Sequence, residues 1–135
     1  MAKISMSTQL NVSADEAWKM IGGFNTLPDW HPAVEASELT EEGQTRTLSL
    51  VGGGEIVEKL EKSDEAARTY TYSIVNSPLP LANYTSTIVV RDGDDGCVVD
   101  WSGEFDALGG GSEASDIVSG IYQTGLDNLK KMFGG

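Results

Sequence analysis

Cysteine and histidine are nearly absent from this chain of 135 residues, which carries one of each, Cys97 and His31. A lone cysteine cannot close an intrachain disulfide. One cysteine and one histidine cannot build a Cys/His metal cluster either, so no metal is expected. Basic residues are also scarce, with 9 Lys and Arg against 21 Asp and Glu and a formal net charge of -12. Nucleic acid and anionic membranes are held by clustered Lys and Arg. Here only Lys130 and Lys131 are adjacent, which excludes nucleic acid as a partner. Long apolar runs are missing too. No stretch approaches the roughly 20 residues of a membrane span, so no membrane insertion is expected. The first residues, Ala2-Lys3-Ile4-Ser5-Met6-Ser7, alternate like a strand and lack the apolar block of a signal peptide, which makes the cytoplasm the expected compartment.

What is present reads as a globular chain: 39% hydrophobic and 22% charged residues argue against disorder. No repeat, low-complexity tract or long linker divides it, so residues 1–135 are expected to form one domain. Residues 3–10 alternate, with Ile4, Met6, Thr8 and Leu10 on one face. Ser13-Ala14-Asp15-Glu16 has the spacing of a capping box and predicts a helix with Ala17, Trp18, Met20 and Ile21 on its apolar side, stopped by Gly22-Gly23. A second short helix or turn is expected over Phe24 to Asp29, before Pro32. Strands are then expected at 34–40, 45–51, 55–62, 68–75, 83–91 and 97–106. The turn signals between them, among them Gly52-Gly53-Gly54 and Pro78-Leu79-Pro80, leave no room for crossover helices, so the sheet must be antiparallel. After Gly109-Gly110-Gly111 the period becomes helical, with Ile117, Val118, Ile121, Tyr122, Leu126 and Leu129 on one face, Ser112 or Ser115 as the cap and Gly134-Gly135 past the end. A helix of about 20 residues can cross a whole sheet.

Strand phase exposes an anomaly. Arg46 falls in phase with Leu48 and Leu50, and Glu58 with Ile56 and Leu60. Tyr70, Tyr72 and Ile74 share a face, as do Val99, Trp101, Gly103 and Phe105. Neighbouring strands thus aim Arg, Glu, Tyr and Trp at the side that ought to be core. A lone buried charge is costly, so each needs a partner or water. An interior with room for water has room for a ligand. Gly120 and Gly125 on the long helix fit a helix that bends or leaves space over such a cavity. Two readings remain open for Arg46 and Glu58, a functional pair in a cavity or a structural ion pair near a sheet end. Tyr72, Tyr84, Trp101 and Tyr122 likewise serve either as cavity wall or as plain core. His31, set in Leu27-Pro28-Asp29-Trp30-His31-Pro32, is either an acid–base group at a pocket rim or a hydrogen-bonded loop histidine. Cys97 has no His or Cys motif beside it and does not mark a nucleophile. The glycine runs lack the lysine of a phosphate-binding loop and are assigned to turns.

The order of elements, together with several local motifs, resembles the SRPBCC superfamily, the START/Bet v 1-like helix-grip proteins, and within it the polyketide cyclase/dehydrase and lipid-transport group. The resemblance covers nearly the whole chain. It runs from Val12-Ser13-Ala14-Asp15-Glu16-Ala17-Trp18 and Trp30-His31-Pro32 through Arg46-Thr47-Leu48, Glu58-Lys59-Leu60, Tyr70-Thr71-Tyr72, Pro78-Leu79-Pro80 and Asn83-Tyr84 to Trp101-Ser102-Gly103-Glu104-Phe105 and Tyr122 to Leu129. It implies an α+β helix-grip fold, in which a curved seven-stranded antiparallel sheet with two short helices after its first strand wraps a long C-terminal helix. It also implies a cavity for a small hydrophobic or aromatic ligand, lined at or near by Trp30, His31, Arg46, Glu58, Tyr72, Tyr84, Trp101 and Tyr122. Some members catalyse cyclisation or dehydration without cofactors, and none is expected here. If the chain is an enzyme, such as a cyclase, dehydratase or lyase, Glu58 or His31 would move the proton while Arg46 and Tyr72 stabilise the developing negative charge. Trp30, Tyr84, Trp101 and Tyr122 would hold the substrate. The alternatives are a non-catalytic carrier and an accessory protein acting through a partner enzyme, with a homodimer also left open.

Overall fold

Alternation in the sequence becomes a single seven-stranded antiparallel sheet. The computed structural model describes residues 2–109 and 112–134, apart from the side chain of Glu41. Gly110, Gly111 and Gly135, expected in turns flanking the long helix, lie outside the described residues. The elements are β1 (Ala2–Leu10), α1 (Ala14–Ile21), α2 (Leu27–Trp30), β2 (Val34–Thr40), a 3-10 turn (Glu41–Gly43), β3 (Thr45–Leu50), β4 (Glu55–Asp64), β5 (Thr69–Asn76), β6 (Leu81–Asp92), β7 (Cys97–Ala107) and α3 (Glu113–Phe133). This is the expected α+β helix-grip architecture: β2 to β7 pair as a meander, and β1 closes against β7. Among the described residues no helix is long and apolar enough to cross a membrane.

Local chemistry explains the helix starts. The Ser13 hydroxyl accepts from the Glu16 amide at 3.2 Å, which satisfies one free donor at the start of α1. The other half of the expected capping box does not form, because Glu16 turns to Lys19 instead. The Trp18 indole donates to Glu65 at 2.5 Å, and Arg68 to Asp15 at 2.9 Å, which ties α1 to the β4–β5 turn. The second short helix begins three residues later than expected and includes Pro28 in its first turn, where the missing amide hydrogen costs nothing. Ser112 occupies the cap position of α3 but donates to Asp116 at 3.1 Å rather than capping the backbone.

The core lies between the concave sheet face and α3, and the inward residues are those in the expected phase. Arg46 and Leu48 are buried on β3, Ile56 and Glu58 on β4, Tyr70 and Tyr72 on β5, and Val99, Trp101 and Phe105 on β7. Register slips at Val57/Glu58 and Leu60/Lys62 on β4, and at Ala82/Thr85 on β6, sharpen the curl of the sheet toward the helix.

The two helix glycines do not leave space over a cavity. Gly120 is exposed with nothing near it. Gly125 is filled from below, since a Cβ there would lie 2.6 Å from His31 Cδ2, 2.9 Å from Trp101 and 3.1 Å from Trp30. Its missing side chain lets the helix backbone rest on three aromatic rings.

Candidate functional site

A cavity of about 270 Å³ lies under α3, lined largely by apolar side chains that include Leu48, Ile56, Ile74, Val118 and Ile121. Five of the expected site residues reach its wall: His31, Glu58, Tyr72, Tyr84 and Trp101. The other three, Arg46, Tyr122 and Trp30, stand behind that wall. Val51, Leu79 and Ile117 line the cavity near the ends of β3 and β5 and the start of α3. Val51 is 63% exposed, so the opening lies at that end of the sheet.

Glu58 is 5% exposed and Arg46 only 1%. They sit directly opposite in the β3–β4 register. Arg46 Nε and Nη2 approach the same carboxylate oxygen, Oε1, at 2.8 and 2.7 Å. Nη1 donates to the Phe24 carbonyl at 2.6 Å, and the guanidinium carbon lies 4.2 Å from the centre of the Phe24 ring and 5.1 Å from that of Tyr72. With Tyr70 at 5.9 Å as a third ring, the cation is held by a carboxylate, a carbonyl and three aromatic rings. Burial works against its charge, but Glu58, with Tyr70 and Tyr72 beside it, more than offsets that and raises the Arg46 pKa above its already high normal value. On Glu58 the balance reverses: burial pushes its pKa up, and Arg46 pulls only part of it back. A carboxylate whose pKa is raised, with one oxygen anchored, suits proton transfer.

His31 closes α2 and spans to the long helix. The Ala33 amide donates to Nδ1 at 3.2 Å, so Nδ1 carries no hydrogen. Nε2 therefore bears the proton and donates to the Ile121 carbonyl at 2.8 Å. Burial lowers the pKa of the ring, against the upward pull of the bond to the Ile121 carbonyl, which favours the neutral form. Both nitrogens are in use, so the ring braces the Trp30–Pro32 loop against α3. Asn128 on the same helix adds a bond to the Trp30 carbonyl at 2.8 Å. Trp30 itself packs its ring 5.5 Å from Trp101.

Behind Tyr72 and Tyr84 runs a buried hydroxyl chain. Tyr84 and Tyr122 hydroxyls are 2.6 Å apart, Tyr122 and Ser86 2.8 Å, and Ser86 donates to the Ser102 carbonyl at 2.7 Å. The Trp101 indole hydrogen is shared between Tyr72 and Ser86 at 3.1 Å each, while its ring stacks on Tyr122 at 4.4 Å. Gly103 makes room for this chain, because a Cβ there would collide with the Tyr122 hydroxyl. Burial pushes the phenol pKa values up, that of Tyr122 to about 12, so these groups stay protonated. Ser86 was not among the expected site residues, although its phase with Tyr84, Ile88 and Val90 marks it as an inward polar group. Phe24, the lid over Arg46, left no such signal. Cys97 is buried and far from this wall in the register, beside Leu10. Among the described residues no cluster of His, Cys, Asp and Glu is arranged to hold a metal ion.

A family model described as polyketide cyclase / dehydrase and lipid transport matches residues 1–134. Protein XoxI from Bacillus cereus is 42% identical in sequence and superposes with a TM-score of 0.96, the match covering 98% of this chain and 96% of that one. Norcoclaurine synthase from Thalictrum flavum, solved in complex with dopamine and hydroxybenzaldehyde, is 25% identical with a TM-score of 0.71, over 97% of this chain and 85% of that one. The di-domain ARO/CYC BexL from the BE-7585A biosynthetic pathway shares the fold at 18% identity and a TM-score of 0.80, over 97% of this chain and 46% of that one. No curated protein matches the chain.

Proposed function

Because the chain belongs to the polyketide cyclase / dehydrase and lipid transport family, we propose that its cavity binds a small aromatic or polyketide-like molecule and that Glu58 does cofactor-independent acid–base chemistry on it. The observation that carries this reading is the state of Glu58. It is the carboxylate of an otherwise largely apolar wall, and Arg46 engages only one of its oxygens. Among the described residues nothing donates to Oε2, which is left for the ligand. Norcoclaurine synthase, with dopamine and hydroxybenzaldehyde, supports an aromatic ligand class.

In the proposed step the C–H bond alpha to a substrate carbonyl breaks and its proton passes to Glu58 Oε2. The bonding electrons move to the carbonyl oxygen, giving an enolate. Either its alpha carbon bonds to a second carbonyl of the substrate and Glu58 returns the proton to the resulting alkoxide, or the enolate re-forms the carbonyl while the beta C–O bond breaks. In the second case Glu58 returns the proton to the departing hydroxyl, which leaves as water. Arg46 does not reach the cavity, so it acts as a positioning residue that orients Glu58. Tyr72 donates to the enolate oxygen, and His31 holds the loop that forms one wall. A carrier would use the same wall without the proton transfer.

The first test is native mass spectrometry of protein purified from its own source, with identification of any molecule released on denaturation. A stoichiometric aromatic or polyketide-like compound is expected. With it in hand, Glu58→Gln should keep binding and lose most of the turnover, whereas a carrier shows only a modest affinity change. An empty protein that gains no thermal stability from a panel of phenols and lipids would overturn both readings. An accessory role then rests on Val51, Val75 and Leu108, which are 63%, 62% and 56% exposed near the ends of β3, β5 and β7. Pull-down of a partner enzyme, or a dimer by light scattering, would test that role.

A further inference from the structure

The hydroxyl chain behind the cavity has a direction that follows from counting hydrogens. A carbonyl only accepts, so the single Ser86 hydroxyl hydrogen goes to the Ser102 carbonyl, 2.7 Å away. At the 2.8 Å contact between Ser86 and Tyr122, Tyr122 must then donate. At the 2.6 Å contact between Tyr122 and Tyr84, Tyr122 has spent its hydrogen, so Tyr84 donates. The two acceptor sites of Ser86 are filled by Tyr122 and by the Trp101 indole, whose other contact is the Tyr72 oxygen at 3.1 Å. One hydrogen remains without a close acceptor, that of Tyr72. Its nearest candidate, the Tyr84 oxygen, is 3.5 Å away, the outer limit of such a bond. Tyr72 and Tyr84 both line the cavity, yet only one of them has a hydrogen to offer.

We propose that this wiring makes Tyr72 the hydrogen-bond donor of the cavity and commits Tyr84 away from it, so that the site selects ligands bearing a carbonyl oxygen over their hydrocarbon analogues. The inference rests on the ligand-binding reading above and sharpens it to carbonyl-bearing ring compounds. The selection is energetic as well as geometric: a buried donor without an acceptor is unfavourable, and a ligand carbonyl satisfies it. Ser86, which does not line the cavity, is the positioning residue. It draws the Tyr122 hydrogen inward, and the Tyr84 hydrogen follows.

The test uses two probes of nearly equal shape, 1-tetralone and tetralin, with affinities from calorimetry and the ketone C=O stretch from infrared spectroscopy. Wild-type protein should prefer the ketone by roughly threefold to tenfold, the size of one net neutral hydrogen bond. Its C=O stretch should fall below the value in hexane. Tyr72→Phe should erase the preference and restore the hexane-like stretch, while Tyr84→Phe should leave both unchanged. Both replacements keep the ring, so packing is conserved. In a Ser86→Ala background the Tyr122 hydrogen is free to turn to Tyr84, releasing the Tyr84 hydrogen to the cavity. Only in that background should Tyr84→Phe reduce the preference, a coupling that a packing role for Ser86 does not produce. Equal binding of the two probes by wild-type protein, or a preference lost with Tyr84→Phe alone, overturns the inference and leaves ligand binding standing. If neither probe nor any member of the phenol and lipid panel binds, the ligand-binding reading fails and this inference falls with it.

Discussion

Arg46 and Glu58 face each other across β3 and β4, and both guanidinium contacts, at 2.8 and 2.7 Å, converge on a single carboxylate oxygen. Each arginine nitrogen therefore has a partner, while the glutamate keeps one oxygen open. That asymmetry holds a buried charge in place while leaving one oxygen facing the cavity. Removing one member of a buried pair strands the other charge. Arg46→Met should lower unfolding free energy by about 3–5 kcal/mol, read as a lower urea midpoint at unchanged slope. Arg46→Met combined with Glu58→Leu should recover most of that loss. A double variant no better than the single one would show that stranded charge is not what destabilises it.

Glu58 also sets a pH dependence. Burial first, with Arg46 opposing, raises its pKa in the folded state. The folded protein then holds a proton that the unfolded chain has already released. This contribution to stability is complete below about pH 4.3, the ordinary value for Glu, and is lost as pH rises through the raised folded value. Relative to Glu58→Gln, which cannot titrate, wild-type stability should decline across that window in urea titrations at a series of pH values.

His31 has the opposite sign. Burial lowers its folded pKa, so the unfolded chain takes up the proton first. Its contribution is present above about pH 6.5 and is lost as pH falls through the lowered folded value. Wild-type protein should lose stability relative to His31→Gln on acidification. Nitrogen NMR at neutral pH should show the Nε2–H tautomer; an Nδ1–H tautomer would contradict the bond from the Ala33 amide.

The two glycines of α3 should respond in opposite directions. Gly120→Ala meets nothing within 4 Å and should stabilise by up to about 1 kcal/mol through helix propensity. Gly125→Ala drives a methyl into His31, Trp101 and Trp30 and should destabilise by about 1–3 kcal/mol. Thermal unfolding of both variants checks the pair.

Filling the cavity should separate folding from binding. Val118 is 1% exposed and lines the space of about 270 Å³. Val118→Phe should keep the melting temperature at or above that of wild type while weakening 1-tetralone binding by about tenfold or more, since occupied space removes a ligand contact area larger than a methylene. Unchanged binding would place the ligand elsewhere.

The phase of each strand was legible in the residues because alternation is a local property of extended backbone. It was enough to turn Arg46, Glu58, Tyr72 and Trp101 inward, and Ser86 could have been found the same way. The helical period after residue 112, the short turns and the antiparallel order followed from equally local rules. Which inward groups face the cavity and which stand behind its wall did not follow, because that depends on how far the sheet curls. The register slips on β4 and β6 that accompany the curl carry no distinctive residue pattern. The role of His31 was undecided for the same kind of reason: its decisive partner, the Ile121 carbonyl, is 90 residues away. Gly125 likewise looked like room for a ligand until the rings of Trp30, His31 and Trp101 were placed beneath it. Local geometry is written into neighbouring residues. The assignment of hydrogens along Tyr84, Tyr122, Ser86 and Ser102, and the cavity in front of them, exists only once three separate segments, β6, β7 and α3, are brought within bonding distance by packing.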